Sequence, residues 1–416
     1  MTIMHIDANS AYLSWTAVHM LEKGYPIDIR DIPSCIAGDP KNRHGIILAK
    51  SGPAKKYKIQ TGESLMEARK RCPELAVYPP NYDLFLLCSN AMYEILREYS
   101  PLVQRYSIDE CFLDYRAMGR NAKNPVDVAF EIKNRIHDEL GFTVNVGVST
   151  NKLLAKMAGE LRKPNVVETI WPDEVPAKLW PLPVGDLFMV GRATTKKLLA
   201  MNIRTVGDLA NADPNMLKVL LKNVHGQLVW EYANGLDLTP VTTNSDIFQK
   251  SVGNSITIPY DVSTEKEARQ VLLALCERVG MRLRKLGCKA ALVSVHLRTS
   301  EFTGRGHQIQ LSYHTDSTSD IYRVGWQLVE ESWRHEPLRQ MGISPGNFAP
   351  VDQEQISLFH PKDLEKDEQM NRAVDRIRSR YGDRSIIRGA FANTNVNAIQ
   401  GGVNDGDFLM MGGYSL

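Results

Sequence analysis

Three carboxylates stand in two short apolar runs and could together bind divalent metal ions. Asp7 ends the run 3–7, and Asp109 and Glu110 lie in the segment 106–115. If these runs are neighbouring strands, the carboxylates meet at one place and offer the oxygen ligands that Mg²⁺ prefers. Two such ions can bind the attacking and leaving oxygens of an in-line phosphoryl displacement. The residues alone leave a simpler alternative open, in which Asp109-Glu110 marks a hairpin turn and Asp7 caps the next helix.

The hydrophobic pattern predicts the elements that position these carboxylates. Residues 3–7 are predicted to form a buried strand and residues 106–115 a hairpin, and the alternation over 142–149 is typical of another strand. The same reasoning predicts helices at 10–22, 84–99, 126–140 and 150–162, the last ended by Pro164. Strands and helices intermix, which is typical of an α/β or α+β fold.

The rest of the chain divides into regions of different pattern. Residues 166–240 are predicted to be mostly helical, with a helix, turn and second helix after Gly191, and 239–245 has the composition of a linker. Residues 250–340 alternate between strand and helix signals, which predicts a small αβ sandwich. After 345 the chain is expected to be irregular, with a tail at 392–416.

Composition excludes several classes of protein. The chain has 416 residues, 43% of them hydrophobic and 24% charged, which favours several folded domains over general disorder. Its formal charge of +2 excludes a polycationic binder. The six cysteines form no C-x-x-C pair, so we expect free thiols in a reducing cytoplasm and neither disulfides nor a zinc site. The sequence has no membrane-spanning run and no leader-like N-terminus, so we expect a soluble cytoplasmic protein.

The small net charge hides segregated regions. Residues 38–71 hold nine Lys and Arg against three acids, and residues 278–305 hold seven against one. Residues 352–368 have the opposite balance, with six acids and two bases. A bare run of charge is more often a solvated face than a binding site, but the pattern is also that of a basic cleft on a balanced background.

Three segments resemble the catalytic core of the Y-family, or translesion, DNA polymerases. They are His5–Tyr12 (HIDANSAY), 106–114 (YSIDECFLD) and 147–164 (GVSTNKLLAKMAGELRKP), and the resemblance extends over about residues 3–360. It implies an α+β multidomain polymerase shaped like a right hand. The implied regions are a palm at 1–23 and 76–165, fingers at 24–75, a helical thumb with a helix-hairpin-helix at 166–240, a βαββαβ little finger at 246–348 and a tail at 349–416.

The resemblance implies a template-directed, low-fidelity DNA polymerase that adds deoxynucleotides to a primer 3′-hydroxyl and copies damaged templates. Two Mg²⁺ ions would be held by Asp7, the main-chain carbonyl of Ala8, Asp109 and Glu110. The implied partners are primer-template DNA, deoxynucleoside triphosphates and a sliding clamp, and the chain is expected to be a monomer unless an accessory subunit exists. Asn9 and Lys55 resemble the branch of the DNA polymerase V catalytic subunit more than the other bacterial branch.

The nucleotide site implied by the resemblance departs from the family pattern at three positions. Tyr12 matches the steric gate that excludes a ribose 2′-hydroxyl, but Ala11 stands where a bulky aromatic is frequent, which predicts a looser sugar pocket. Gly52 replaces a tyrosine and Lys55 an arginine in the fingers pattern, whereas Lys163 matches a palm lysine that reaches the triphosphate. Without the resemblance, Tyr12 fits a core aromatic and both lysines fit solvated surface positions.

Further contacts implied by the resemblance concern DNA and the clamp. Gly191 and Arg192 would meet a phosphate at the helix-hairpin-helix turn, although a plain αα-hairpin also fits the segment. In the basic run 278–305, phosphate contacts would come from Arg282, Arg284, Lys289 and Arg298. The pentapeptide Gln355, Ile356, Ser357, Leu358 and Phe359 resembles the bacterial clamp-binding motif, and a strand in a local core is the alternative.

Two other classes of function share some of these features. A two-metal nuclease would use the same carboxylates but would need neither a steric gate nor triphosphate lysines. A non-catalytic DNA-binding accessory of the clamp would need no intact carboxylates at all. Primer extension against nicking of labelled DNA separates these alternatives from a polymerase.

Overall fold

The computed structural model describes residues 2–43, 45–116, 123–243, 250–350, 364–392, 394 and 396. The chain divides into two compact units. The first comprises the described residues up to Ala37 and from Ile46 to 243, and the second comprises Gly38–Gly45 and the described residues from 250 onward. Within the described residues, no helix is both long enough and apolar enough to span a bilayer.

A five-stranded sheet forms the centre of the first unit. Its strands are β1 (Ile3–Ala8), β5 (Val103–Arg105), β6 (Glu110–Asp114), β7 (Val144–Ser149) and β8 (Val167–Thr169), in the order β5-β6-β1-β7-β8. Strand β1 pairs antiparallel with β6 and β7, whereas β8 joins β7 in parallel. The hairpin of β5 and β6 and the strands β1 and β7 confirm the elements predicted around the carboxylates.

Helices cover both faces of this sheet. They are α1 (Ala11–Glu22), α4 (Tyr82–Tyr99), α5 (Pro125–Leu140) and α6 (Lys152–Glu160). The main core lies between one face and α1, α4 and α5, and it buries Met4, Ile6, Trp15 and Phe85. Helix α6 packs directly on β7 at Gly147, where an added Cβ would lie 1.8 Å from the main-chain oxygen of Ala155. Any larger residue at Gly147 would therefore push α6 off the sheet.

The part of the chain between β1 and β5 forms a second, three-stranded sheet. Its strands β2 (Ser34–Ala37), β3 (Ile47–Lys50) and β4 (Ala76–Tyr78) have the order β3-β2-β4, and the short helices α2 (Gly52–Lys56) and α3 (Leu65–Arg71) accompany them. Two pairings fall near the predicted region boundaries: β4 pairs with β2 and not with the five-stranded sheet, and β8 extends the five-stranded sheet beyond residue 165.

The helical part of the first unit contains short helices around a separate core. They are α7 (Val175–Lys178), α8 (Arg192–Ala200), α9 (Val206–Ala210), α10 (Pro214–Leu221) and α11 (Asn223–Ala233). Leu198, Val206 and Leu209 join α8 and α9 through this core. The helix, turn and second helix predicted after Gly191 are therefore present.

The second unit has the predicted βαββαβ order. It consists of β9 (Asn254–Val262), α12 (Glu265–Lys285), β10 (Cys288–Thr299), β11 (Gly304–Thr315), α13 (Thr318–Ser332) and β12 (Leu338–Pro350). The sheet order is β11-β10-β12-β9, and all neighbours are antiparallel. Val293, Val295 and Leu297 of β10 are buried in the same core as residues of α12 and α13.

The prediction that the chain is irregular after residue 345 and forms only a tail from 349 is wrong for two stretches. Strand β12 stays paired with β10 as far as Pro350, and residues 364–381 form a further helix, α14 (Leu364–Tyr381). Charged contacts connect this helix to α12, including Arg378 Nη1 at 2.7 Å from Glu277 Oε2. The predicted clamp motif at 355–359 lies outside the described residues.

Candidate active site

The backbone of the first unit brings the three predicted carboxylates to one place. Asp7 and Glu110 are direct partners across the antiparallel pair of β1 and β6, so their side chains leave the same face of the sheet. Asp109 precedes β6, and its main-chain oxygen accepts a 3.0 Å hydrogen bond from the amide of Ala8. Asp7 does not cap α1, whose N-cap residue is Ser10. The strand pairing therefore places at one site the residues predicted to act together.

Lysines hold two of these carboxylates, each through one oxygen. Asp7 Oδ2 lies 2.5 Å from Lys163 Nζ, and Glu110 Oε2 lies 2.6 Å from Lys156 Nζ. His5 Nε2 also lies 3.2 Å from that Oε2. The cationic partners thus neutralise carboxylates that would otherwise repel one another at close range.

Asp109, the third carboxylate, is also held through one oxygen, but by a neutral donor. Ser107 Oγ donates a 2.6 Å hydrogen bond to Asp109 Oδ1. In each of Asp7, Asp109 and Glu110, the second oxygen accepts no hydrogen bond from another described residue. Each carboxylate therefore keeps one oxygen that is available to a ligand.

Burial and ion pairing shift the pKa values of these acids in opposite directions. Burial raises the pKa of Asp7, against the opposing charge and hydrogen bond of Lys163, and burial also raises the pKa of Asp109. Burial opposes ionisation of Glu110 as well, but there the contacts with His5 and Lys156 outweigh it and lower the pKa. Glu110 is thus stabilised in its ionised form, whereas the favourable contacts of Asp7 and Asp109 do not outweigh the cost of burying their negative charge.

The donor set fits a divalent cation, although it does not yet surround one. Carboxylate oxygens and a main-chain carbonyl are the hard ligands that Mg²⁺ selects. Within the described residues, however, no three His, Cys, Asp or Glu side chains converge on one point. Lys163 and Lys156 each bind one oxygen of Asp7 and Glu110, so a bound cation would use the other oxygens and share these carboxylates with the lysines.

A cavity of about 1030 Å³ opens beside the carboxylates within the first unit. Besides the acids, its lining includes Ala11, Tyr12, Gly52, Lys55 and Lys163, so the structure brings together the predicted nucleotide-binding residues. Such a volume is typical of small-molecule sites that accept a ligand the size of a nucleotide.

Tyr12 forms part of the cavity wall and is fixed by aromatic packing. Its ring stacks on Phe85 with centroids 4.5 Å apart, and Trp15 lies edge-on at 6.0 Å. Burial raises the pKa of the Tyr12 hydroxyl to about 12, so the side chain is neutral. Ala11 is buried at the start of α1, and its methyl group leaves the wall beside Tyr12 without a second ring.

The side of the cavity formed by α2 is open at Gly52. A Cβ added there would meet no heavy atom within 4 Å, and Ser51 caps the helix α2 that carries Gly52 and Lys55. Lys55 is exposed, whereas Lys50 is held by the main-chain oxygen of Ile59. Lys55 is thus the exposed cation on α2 that lines the cavity.

Two residues at the carboxylates, His5 and Lys156, were not predicted from the sequence. A signal for His5 existed, because a strand has a period of two and His5 therefore shares a face with Asp7. Lys156 falls within the helix predicted at 150–162, for which the sequence indicated no contact with the carboxylates. Its contact with Glu110 depends on how α6 packs against the sheet, which the spacing alone does not give.

The predicted DNA contacts of the helical region lie on its surface. Gly191 is the N-cap of α8 and Arg192 is the first residue of that helix, and both are exposed. The first-turn amides of α8 are available at this end, where an anion would be favoured. Their contact with DNA stays a prediction.

In the second unit the predicted DNA-binding cations have different environments. Asp375 binds Arg284 at 2.5 Å, and Glu368 binds Lys289 at 2.7 Å, both from α14. Arg282 donates to the main-chain oxygen of Gly253 at 3.1 Å. Arg298 lies on the face of β10 opposite the buried residues, and its Cζ atom is 5.0 Å from the centre of the Phe302 ring. The helix α14 thus engages two of the four predicted residues, and their role at DNA stays a prediction.

The sheet with its clustered carboxylates, the cavity beside them, the helical hairpin region and the βαββαβ unit are the parts expected of a polymerase of the nucleotidyltransferase class. Comparison with known families agrees. The chain matches the impB/mucB/samB family over residues 6–160, its C-terminal domain over 249–358 and the IMS family HHH motif over 172–203. The chain belongs to this family of Y-family translesion DNA polymerases.

Relatives of known name extend over nearly the whole chain. DNA polymerase IV of Clostridium acetobutylicum is 45% identical over 386 residues, which cover 93% of this chain and 97% of the relative. DNA polymerase IV 1 of Bacillus subtilis is 33% identical over 409 residues, with 98% and 97% covered. Both names belong to the DNA polymerase IV branch, whereas Asn9 and Lys55 favoured the DNA polymerase V branch.

Solved structures support the fold. A Y-family DNA polymerase chimera, Dbh-Dpo4(243-245)-Dbh, superposes with a TM-score of 0.71 at 20% identity, covering 84% of this chain and all of that one. A Dbh ternary complex gives a TM-score of 0.58 at the same identity and coverage. The chain is a translesion, DNA-directed DNA polymerase, and family membership implies DNA and nucleotide substrates and a divalent metal. Neither a nuclease nor a non-catalytic accessory receives support.

Proposed function

We propose that Asp7, Asp109 and Glu110 hold two Mg²⁺ ions, together with the main-chain carbonyl of Ala8, for transfer of a deoxynucleotide to a primer 3′-hydroxyl. The observation that carries the proposal is the set of three neighbouring carboxylates, each with one oxygen held by the protein and one left open. Ions bound there would lower the pKa of the primer hydroxyl and neutralise charge on the departing pyrophosphate.

The remaining residues of the cavity bind and orient the nucleotide. Lys163 and Lys55 lie in its lining and would bind phosphate oxygens as point charges, because lysine lacks the paired donors of arginine. Tyr12 would pack beneath the deoxyribose, where its fixed ring excludes a 2′-hydroxyl. Together these contacts hold the α-phosphate in line with the primer, which is the main contribution a polymerase site makes.

Primer extension by the full chain tests the assignment of the carboxylates. We expect the double variant Asp109→Asn/Glu110→Gln to lose extension by a factor of about 10³ or more, because two carboxylate ligands are removed. Glu94→Gln is a matched control, since Glu94 is an exposed acid on α4 outside the cavity. Extension that survives in the double variant at the wild-type rate would refute the assignment.

We also propose that the pentapeptide Gln355–Phe359 binds a sliding clamp and that the chain acts as a monomer. A glutamine and three apolar side chains in a short segment are suited to an apolar pocket on a partner. Deleting residues 353–359 is expected to abolish clamp-stimulated synthesis and to spare basal extension. Loss of both activities would contradict a tethering role, and sedimentation of the free chain tests the monomer.

A further inference from the structure

His5 is a buried imidazole at the edge of the proposed metal site. The residue has no exposed surface, and its ring lies 4.8 Å from that of Phe112, the residue directly opposite it on β6. On its other side the direct partner is Gly147 of β7, where α6 approaches closely. Neighbours on both strands and on α6 therefore enclose the ring.

The hydrogen bonding of His5 identifies its proton. Nδ1 is buried and has no hydrogen-bond partner among the described residues, whereas Nε2 lies 3.2 Å from Glu110 Oε2. A carboxylate oxygen can only accept a hydrogen bond, so the nitrogen that faces Glu110, Nε2, carries the proton, and Nδ1 keeps its lone pair. His5 is then a neutral donor directed at one oxygen of Glu110.

This contact decides which oxygen of Glu110 remains available. Lys156 and His5 both bind Oε2, and Oε1 accepts no hydrogen bond from another described residue. Lys156 reaches the oxygen through a long, flexible chain, whereas the imidazole is fixed on the central strand of the sheet. The rigid partner therefore sets the orientation of the carboxylate.

We infer that His5 is a positioning residue for the metal-binding carboxylate: its Nε2–H holds Glu110 Oε2, so that Oε1 faces the incoming divalent cation. The inference deepens the proposed function and rests on the role given there to Glu110. Groups that orient a metal ligand in this way typically affect metal affinity by 10- to 100-fold. His5 itself contacts neither the cation nor the substrate.

Binding of Mn²⁺ to the full chain tests the inference without requiring turnover. The complex would contain primer-template DNA with a dideoxy-terminated primer and the next deoxynucleoside triphosphate, and free Mn²⁺ would be measured by electron paramagnetic resonance. We expect His5→Phe to weaken Mn²⁺ binding about tenfold. His5→Gln keeps an N–H donor and is expected to restore part of the loss. The Mn²⁺ concentration that half-saturates primer extension should shift in the same order.

Control variants distinguish positioning from general damage to the fold. Phe142→Leu truncates a buried ring of the same unit that does not contact Glu110, so it should lower stability and leave Mn²⁺ affinity unchanged. Wild-type Mn²⁺ affinity in a folded His5→Phe chain would overturn the inference while leaving the proposed function intact. Wild-type affinity in Glu110→Gln would instead overturn the proposed role of Glu110.

Discussion

Lys163 Nζ lies 2.5 Å from Oδ2 of Asp7, although 156 residues separate the two in the sequence. The same ammonium group lies 2.6 Å from Glu160 Oε1. Because burial disfavours the negative charge of Asp7, a cationic partner stabilises its ionised form. Lys163 therefore compensates the charge of Asp7 in the absence of a cation and lines the cavity that would receive a triphosphate.

Replacing Lys163 by methionine tests this double role. We expect the KM for deoxynucleoside triphosphates to rise about ten- to hundredfold, because a charged hydrogen bond to phosphate contributes about 1.5–3 kcal/mol. Mn²⁺ binding without nucleotide should not weaken, since the lysine competes for Asp7. Lys23→Met, an exposed lysine just after α1, is the control. An unchanged KM would exclude Lys163 from the nucleotide site.

Tyr12→Ala should raise ribonucleotide incorporation about tenfold or more, because the ring that fills the space beneath the sugar is lost. Tyr82→Ala is a matched control: Tyr82 packs edge-on against the same Phe85 at 5.8 Å but does not line the cavity. Primer extension with paired ribo- and deoxynucleotides gives the selectivity. Equal selectivity in wild type and Tyr12→Ala would remove Tyr12 from the role of steric gate.

Gly52→Ser should lower the KM for deoxynucleoside triphosphates about two- to tenfold. The substitution supplies a hydroxyl where an added Cβ meets no heavy atom, and a neutral hydrogen bond contributes about 0.5–1.5 kcal/mol. Gly389→Ser places the same group at another open glycine in the second unit. If Gly52→Ser and Gly389→Ser give the same KM, residue 52 does not face the triphosphate.

The sequence allowed the carboxylate site to be predicted because its determinants are local. Asp7 lies near the end of the apolar strand β1, Asp109 precedes β6 and Glu110 is its first residue, and the antiparallel register then makes Asp7 and Glu110 direct partners. Lys156 was missed because its contact with Glu110 depends on packing between α6 and the sheet, whereas His5 could have been found from the period of two that places it on the same face of β1 as Asp7. No spacing rule connects a histidine on β1 with a lysine on a helix that lies far along the chain.

Helix α14 was missed for a different physical reason. Its apolar residues Met370, Ile377 and Tyr381 recur at helical spacing, but they are exposed, whereas Asn371 and Arg378 are buried. A pattern that directs its polar side inward contradicts the rule by which amphipathic helices are recognised. Charged partners on α12 and β10, namely Glu277, Arg284 and Lys289, bind the polar side of α14 that faces inward.

Arg378 is the residue that fixes α14 most firmly. Its guanidinium is 3% exposed and binds Glu277, which also binds Arg388 at 2.5 Å. Arg378→Met removes one of the two cationic partners of buried Glu277 and leaves Arg388 as the other, so the variant should destabilise the second unit by about 1.5–3 kcal/mol, the contribution of a charged hydrogen bond. Urea unfolding measures the change. Arg380→Met, two residues along and exposed, should cost far less, and equal losses for both variants would contradict this account.

Of the predicted DNA-binding residues, Arg298 is expected to bind a DNA phosphate and Arg284 is not. Arg298 is on the side of β10 opposite its buried residues, so Arg298→Ala should reduce the slope of log K against log salt by about 0.9, as expected for one lost phosphate contact. Arg284 is 9% exposed and already binds Asp375 and the main-chain oxygen of Asp316. We therefore expect Arg284→Met to lower stability and leave the slope unchanged. Fluorescence anisotropy over a salt series provides the slopes, and a shallower slope for Arg284→Met alone would show that DNA displaces α14 from this arginine.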